Sequence, residues 1–190
     1  FLGFHEDLVR MILDGEIEDK ERLQQAKIAL CRKYGLPGVP RNSEILASVS
    51  EEDRPKVQEL LRRKPVRTLS GVAVVAVMTS PAPCPHGKCI YCPGGVESGS
   101  PQSYTGKEPA ARRGASFDFD PYEQVRGRIE QLEAIGHGTD KIDLIIMGGT
   151  FTSRPQDYQE EFVKRCFDAL NRSPSANLEE AQRLNEGAPH

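Results

Sequence analysis

Two apolar runs constrain this chain more than any other feature: "GVAVVAVM" at residues 71–78 and "KIDLIIMGG" at residues 141–149. Neither alternates apolar with polar residues, so each reads as a strand buried on both faces. Between them, "PYEQVRGRIEQLEAIG" carries a helical stripe of Tyr122, Val125, Ile129 and Leu132. Pro121 suits the first helical position and Gly136 the stop. After the second run, "QDYQEEFVKRCFDALN" puts Tyr158, Phe162, Cys166, Phe167 and Leu170 on one face. A short last helix opens at Asn177, with Glu180 at capping-box spacing. Strand, helix, strand, helix predicts parallel strands joined by right-handed crossovers. Two such strands neither close a barrel nor cover a sheet. The sequence is therefore expected to be the N-terminal piece of a longer protein.

The residues ahead of the first run read differently. Phe4, Leu8, Met11 and Ile12 are helix-spaced, and so are Leu23, Ala26, Leu30 and Tyr34. "YGLPGVPRN" breaks that pattern. Ser50, followed by Glu51, Glu52 and Asp53, looks like an N-cap with acids in the first turn. The helix it opens is expected to end at Arg62, Arg63 and Lys64, ahead of Pro65. The division expected from these patterns is a helical region over 1–68 and an α/β region over 69–190.

"CPHGKCIYCPGG" follows the first strand at once and holds three of the five cysteines, Cys84, Cys89 and Cys92. In parallel α/β folds, the loops after strands line the face where chemistry collects. Three thiolates leave one iron of a four-iron cubane open, whereas four would close it. The competing reading is a structural zinc site of Cys84, His86, Cys89 and Cys92, because His86 is a fourth ligand of the right type. Cys31 and Cys166 sit on apolar helix faces and read as core residues. The odd, clustered cysteine count argues against a disulfide framework and for a reducing, cytoplasmic setting. No apolar run is long enough to span a bilayer, and the N-terminal residues lack the pattern of a signal peptide.

The net charge is −3, yet "RRKPVR" packs four cations into six residues. With Lys56, Arg112 and Arg113, the residues Arg62, Arg63, Lys64 and Arg67 could present a phosphate-binding face, because local charge decides nucleic-acid contact.

The cysteine loop, "GVAVVAVM", "QSYTG", "DPYEQ" and "DKIDLIIMGGTF" together resemble the radical S-adenosylmethionine (SAM) domain of the Elongator catalytic subunit family, which acts on wobble uridine in tRNA. The resemblance covers most of residues 60–190. It implies a helical N-terminal region followed by part of an incomplete TIM-like barrel. It also implies a [4Fe-4S] cluster on Cys84, Cys89 and Cys92, with SAM on the open iron. Tyr91 would lie by the adenine, and Gly148, Gly149 and Thr150 would hold the SAM amino group. Lys141 matches a lysine tied to acetyl-CoA, the co-substrate. The implied partners are the tRNA anticodon stem-loop and Elongator-type subunits or a second copy, with no membrane. The implied product is 5-carboxymethyluridine. One departure is visible: four residues, "PHGK", separate the first two cysteines where three are common. The alternative of another class is a zinc-containing RNA-binding module without catalysis.

Overall fold

The computed structural model describes residues 2–149 and 151–188. Eight α-helices and two six-residue strands are formed among them. The chain divides into two compact units. The first is Phe1–Ser70 with Gln131–Gly138, and the second is Gly71–Glu130 with Thr139–His190.

The first unit is helical: α1 Leu2–Leu13, α2 Lys20–Lys33, α3 Asn42–Ala47 and α4 Arg54–Leu61. Its core is built from the helix-spaced residues, with Phe4, Leu8, Ile45, Val57 and Leu61 fully buried. Asp19 starts α2, its Oδ1 accepting the Arg22 N–H at 2.8 Å. Ser50 is not the cap expected of it. It lies in a turn before α4, donating to Asp53 Oδ2 and accepting the Asp53 N–H. A lysine belongs to this core. Lys27 is buried, and its Nζ donates to Asn42 Oδ1 at 2.8 Å. Asn42 donates in turn to the carbonyl of Leu61. Burial pushes the Lys27 pKa down.

In the second unit, β1 (Ala73–Met78) and β2 (Ile142–Met147) pair in parallel, with Ala73 opposite Ile142 and Met78 opposite Met147. The helices here are α5 Pro109–Ser116, α6 Pro121–Ala134, whose residues 131–134 group with the first unit, α7 Gln156–Asn171 and α8 Leu178–Asn185. Asn177 caps α8 through the Glu180 N–H at 2.9 Å. Cys31 and Cys166 are both buried, and burial pushes the Cys166 thiol up to about 12.

The expected fold class is corrected here. The described residues are mostly helical, and their only sheet is an open pair, not part of a TIM-like barrel. The physical reason lies in the sheet's edges. Three of the β1 groups that point away from β2 are taken by side chains. Gln124 accepts the Met78 N–H at 2.8 Å and donates to the Met78 carbonyl at 2.9 Å. Arg113 donates to the Ala76 carbonyl at 3.2 Å. Side chains thus occupy bonds that a neighbouring strand would need on the outer edge of β1. Nor are both strands buried on two faces: Val74 is 46% exposed and Ile145 41%.

Candidate functional site

All the chemistry-bearing loops of the second unit sit at the C-terminal ends of its strands. Thr79 continues the ladder, its N–H donating to the Met147 carbonyl at 2.8 Å. Ser80 follows, and the cysteine loop leaves from it. Ser80 is held three ways. Its N–H donates to the Tyr158 hydroxyl at 3.1 Å, its carbonyl accepts from Arg154 at 3.0 Å, and its hydroxyl accepts from Arg154 at 3.2 Å. The Arg154 guanidinium lies 3.8 Å from the Tyr158 ring centre, a cation–π distance. Thr79, Ser80, Pro101, Gly148, Gly149 and Arg154 are among the residues lining a small recess.

The two glycines after β2 differ. A side chain at Gly148 would collide with the Thr79 hydroxyl, and its φ of +120° is closed to other residues. Gly148 is thus required by the closeness of the two strand ends. Gly149 has a φ of +29°, and a Cβ there would meet Gln102 at an ordinary 3.7 Å. Thr150 lies outside the described residues. Lys141 is exposed, at the opposite end of β2 from the glycine turn.

None of the three thiols is in a disulfide, and they are unequally placed. Cys89 is exposed, and its Sγ lies 3.1 Å from His86 Nε2. Ile90 and Tyr91 are 94% and 92% exposed, so the Tyr91 ring faces solvent. Cys92 is cradled. Its Sγ accepts the Ser103 N–H at 3.2 Å and donates to the Gly94 carbonyl at 3.1 Å, with Gln102 Oε1 at 3.5 Å. The "PGG" exit makes this cradle possible. A side chain at Gly94 would strike the Tyr104 carbonyl, and one at Gly95 would strike the Gln102 amide. The donor types are those an iron–sulfur group takes: three partly accessible thiols outside any disulfide, on one loop, one of them already seated.

The basic residues divide by their engagements. Arg62 Nε donates to the Gly136 carbonyl at 2.8 Å, where Gln58 also donates. Arg113 is committed to the β1 edge. Arg63, Lys64 and Arg67 are exposed around a short 3₁₀ turn, Pro65–Thr68, in which Val66 is 75% exposed. Lys56 is exposed, with Asp53 at 3.7 Å, and Arg112 is exposed on α5. The first unit holds Lys56, Arg62, Arg63, Lys64 and Arg67, and the second holds Arg112 and Arg113.

Comparison with known proteins gives a consistent result. The family described as ELP3 N-terminal domain matches residues 1–69. The chain is 57% identical over 189 residues to the tRNA uridine(34) acetyltransferase of Methanocaldococcus infernus, covering 97% of this chain and 35% of that protein. It is 41% identical over 189 residues to human Elongator complex protein 3, covering 95% of this chain and 35% of that one. The chain is similar to these proteins along nearly its whole length. A solved structure of Methanocaldococcus infernus Elp3 with an N-terminal deletion is 48% identical over 63% of this chain and 21% of that chain, at a TM-score of 0.45. The chain spans about a third of the length of the curated Elp3 relatives that it matches.

Two findings correct the expected assignment to a radical SAM domain. The Elp3 family match falls on the N-terminal domain, not on a radical SAM catalytic domain. Among the described residues, no group of three or more His, Cys, Asp or Glu side chains is placed to hold a metal ion. Cys84, Cys89 and Cys92 share a loop without converging on one point. Also among the described residues, no helix is long and apolar enough to cross a membrane. Sequence reasoning missed Gln102, Ser103, Gln124 and Arg154. "QSYTG" stood out only as part of the resemblance, and nothing in its residue types says that a buried glutamine faces a thiol.

Proposed function

We propose that this chain takes part in modifying the wobble uridine of tRNA, as part of a tRNA uridine(34) acetyltransferase. The observation that carries the reading is the 57% identity, along nearly the whole chain, to a protein of that name. The product is 5-carboxymethyluridine, with acetyl-CoA as the source of the added carbons and SAM as cofactor. Elongator-type subunits or a second copy are the protein partners of this reading.

Within it, Cys84, Cys89 and Cys92 are the ligands of a [4Fe-4S] cluster. The chemistry that such a group supplies is one-electron reduction of bound SAM. Tyr91, exposed beside Cys92, offers a ring for the adenine. Gly148, Gly149 and Thr150 form the turn offered to the SAM amino group, and Lys141 is offered to acetyl-CoA. Among the cations, Arg63, Lys64 and Arg67 are exposed in one short segment and suit RNA phosphates, with Lys56 and Arg112 as further contacts. The side chains of Arg62 and Arg113 donate to backbone carbonyls, so they serve the fold first.

The test has two arms. Protein prepared without oxygen is analysed for iron, zinc and sulfide. Iron with equimolar sulfide and a brown colour is expected, and colourless zinc protein would instead support the non-catalytic RNA-binding module. Binding of a tRNA anticodon stem-loop is then measured against salt. Each contact to single-stranded RNA adds about 0.7 to the slope, so neutralising Arg63, Lys64 and Arg67 should flatten it by about 2. An unchanged slope refutes their role as phosphate contacts.

A further inference from the structure

One buried polar side chain lies between two parts of the proposed site. Gln102 is 8% exposed. Its Oε1 faces Cys92 Sγ at 3.5 Å and fills the space that a side chain at Gly95 would need. Its own Cβ and backbone nitrogen lie 3.7 Å from where a Cβ on Gly149 would be. The same residue therefore touches the cysteine loop on one side and backs the glycine turn on the other. Its neighbours fix it from both directions. Pro101 is buried and lines the recess with Gly148 and Gly149. Ser103, at a φ of +70°, turns its N–H onto Cys92 Sγ. Ser100 closes the loop by donating to the Tyr104 carbonyl at 2.6 Å.

We propose that Gln102 is a positioning residue: it seats the Cys92 thiol and sets its distance from the Gly148–Gly149 turn, so that Cys92 is the fixed member of the three and Cys84 and Cys89 close onto it. The inference rests on the reading of Cys92 as a ligand, but its geometric half stands without that reading. A neutral amide suits the task because its oxygen accepts from a thiol, whereas a carboxylate would add charge beside a future thiolate. Burial matters too, because a solvated glutamine would exchange its partner for water.

Alkylation tests the seat directly. The full chain, free of metal, is treated with iodoacetamide, and each cysteine is followed by mass spectrometry. In the parent, Cys89 is expected to react fastest, Cys92 slower and Cys166 not at all. Gln102→Leu removes the acceptor and should speed Cys92 by about fivefold to tenfold, the equivalent of one lost hydrogen bond, with Cys89 unchanged. Gln102→Met, of similar length and also without an acceptor oxygen, should speed Cys92 to the same extent. If Cys166 also begins to react in Gln102→Leu, that variant has loosened as a whole, and the Gln102→Met rate decides: a fast Cys92 with Cys166 still silent supports the seat, and a slow Cys92 overturns it. An unchanged Cys92 rate in a folded Gln102→Leu protein overturns it as well. Loading with ferrous iron and sulfide then separates this proposal from the reading beneath it. A parent that takes up no iron counts against the cluster, and a parent that loads while folded Gln102→Leu loads equally fast counts against Gln102 alone.

Discussion

The two strands look alike in sequence and live in different surroundings. In β1, Ala73, Val75, Val77 and Met78 are all fully buried, and the outer edge is bonded by Gln124 and Arg113. In β2, none of the six residues is buried, and among the described residues no strand pairs with its other edge. An apolar run reports that a strand will form. What covers that strand depends on which helices return to it, and α5 and α6 return to β1. Buried β1 therefore tolerates little change, whereas β2 has room for it.

The largest effect should come from the β1 edge. Gln124→Leu leaves the buried Met78 N–H and carbonyl without partners, at about 1–3 kcal/mol for each buried group. Chemical denaturation should show a loss of roughly 2–5 kcal/mol. A loss under about 1 kcal/mol would mean that water reaches this edge and that the contrast between the strands is shallow.

Next comes the pair Val75→Ala and Ile145→Ala. The first opens a cavity under a fully buried side chain and should cost about 1–3 kcal/mol. The second trims a side chain that is 41% exposed, and about 1 kcal/mol or less is expected even though more atoms are removed. Equal costs per atom removed would break the comparison outright.

The smallest effect is a pH dependence on the β1 side. Hydrogen bonds from the Thr105 N–H, and also from its hydroxyl, hold the Glu108 carboxyl below its usual 4.5 at the start of α5. A depressed carboxyl contributes stability above its unfolded pKa and loses it as pH falls through the folded value. Protection of the Thr105–Arg112 amides, relative to their intrinsic exchange at each pH, should therefore fall below about pH 4.5 in the parent and lose that dependence in Glu108→Gln. The β2 amides should show no matching step.

How far the sequence was legible follows from what each signal measures. Helical spacing measures burial along one element, so Phe4, Leu8, Val125, Phe162 and Cys166 were found as core residues. The last helix was legible because Asn177 and Glu180 cap it locally. Two short helices were missed. α3 begins inside a Pro- and Gly-broken stretch, and α5 is "PAARRGAS", whose small residues carry little periodic signal. The barrel expectation failed because periodicity says nothing of an edge. A glutamine on a helix reads as solvated, and only its place beside Met78 makes it a substitute for a strand. Likewise the cysteine spacing put three thiols on one loop but gave no sign that Cys92 is seated while Cys89 is open.

One feature of the first unit bears on how the chain matures. Gln131–Gly138 groups with Phe1–Ser70, and sixty residues, 71–130, lie between them. The carbonyl of Gly136 accepts from both Gln58 and Arg62, that of Ile135 accepts the Arg63 N–H, and His137 lies 2.8 Å from the Thr68 hydroxyl. On the ribosome, the four N-terminal helices must wait for this return. At about 5–20 residues per second, the intervening stretch takes roughly 3–12 s to synthesise. Through that interval the end of α4 has no lid, and the ends of a long loop must then be drawn together. A bacterial host that translates quickly shortens the wait, and a slow codon run between residues 71 and 130 lengthens it. Translation speed across residues 71–130 thus sets how long the end of α4 stands without its partner carbonyls.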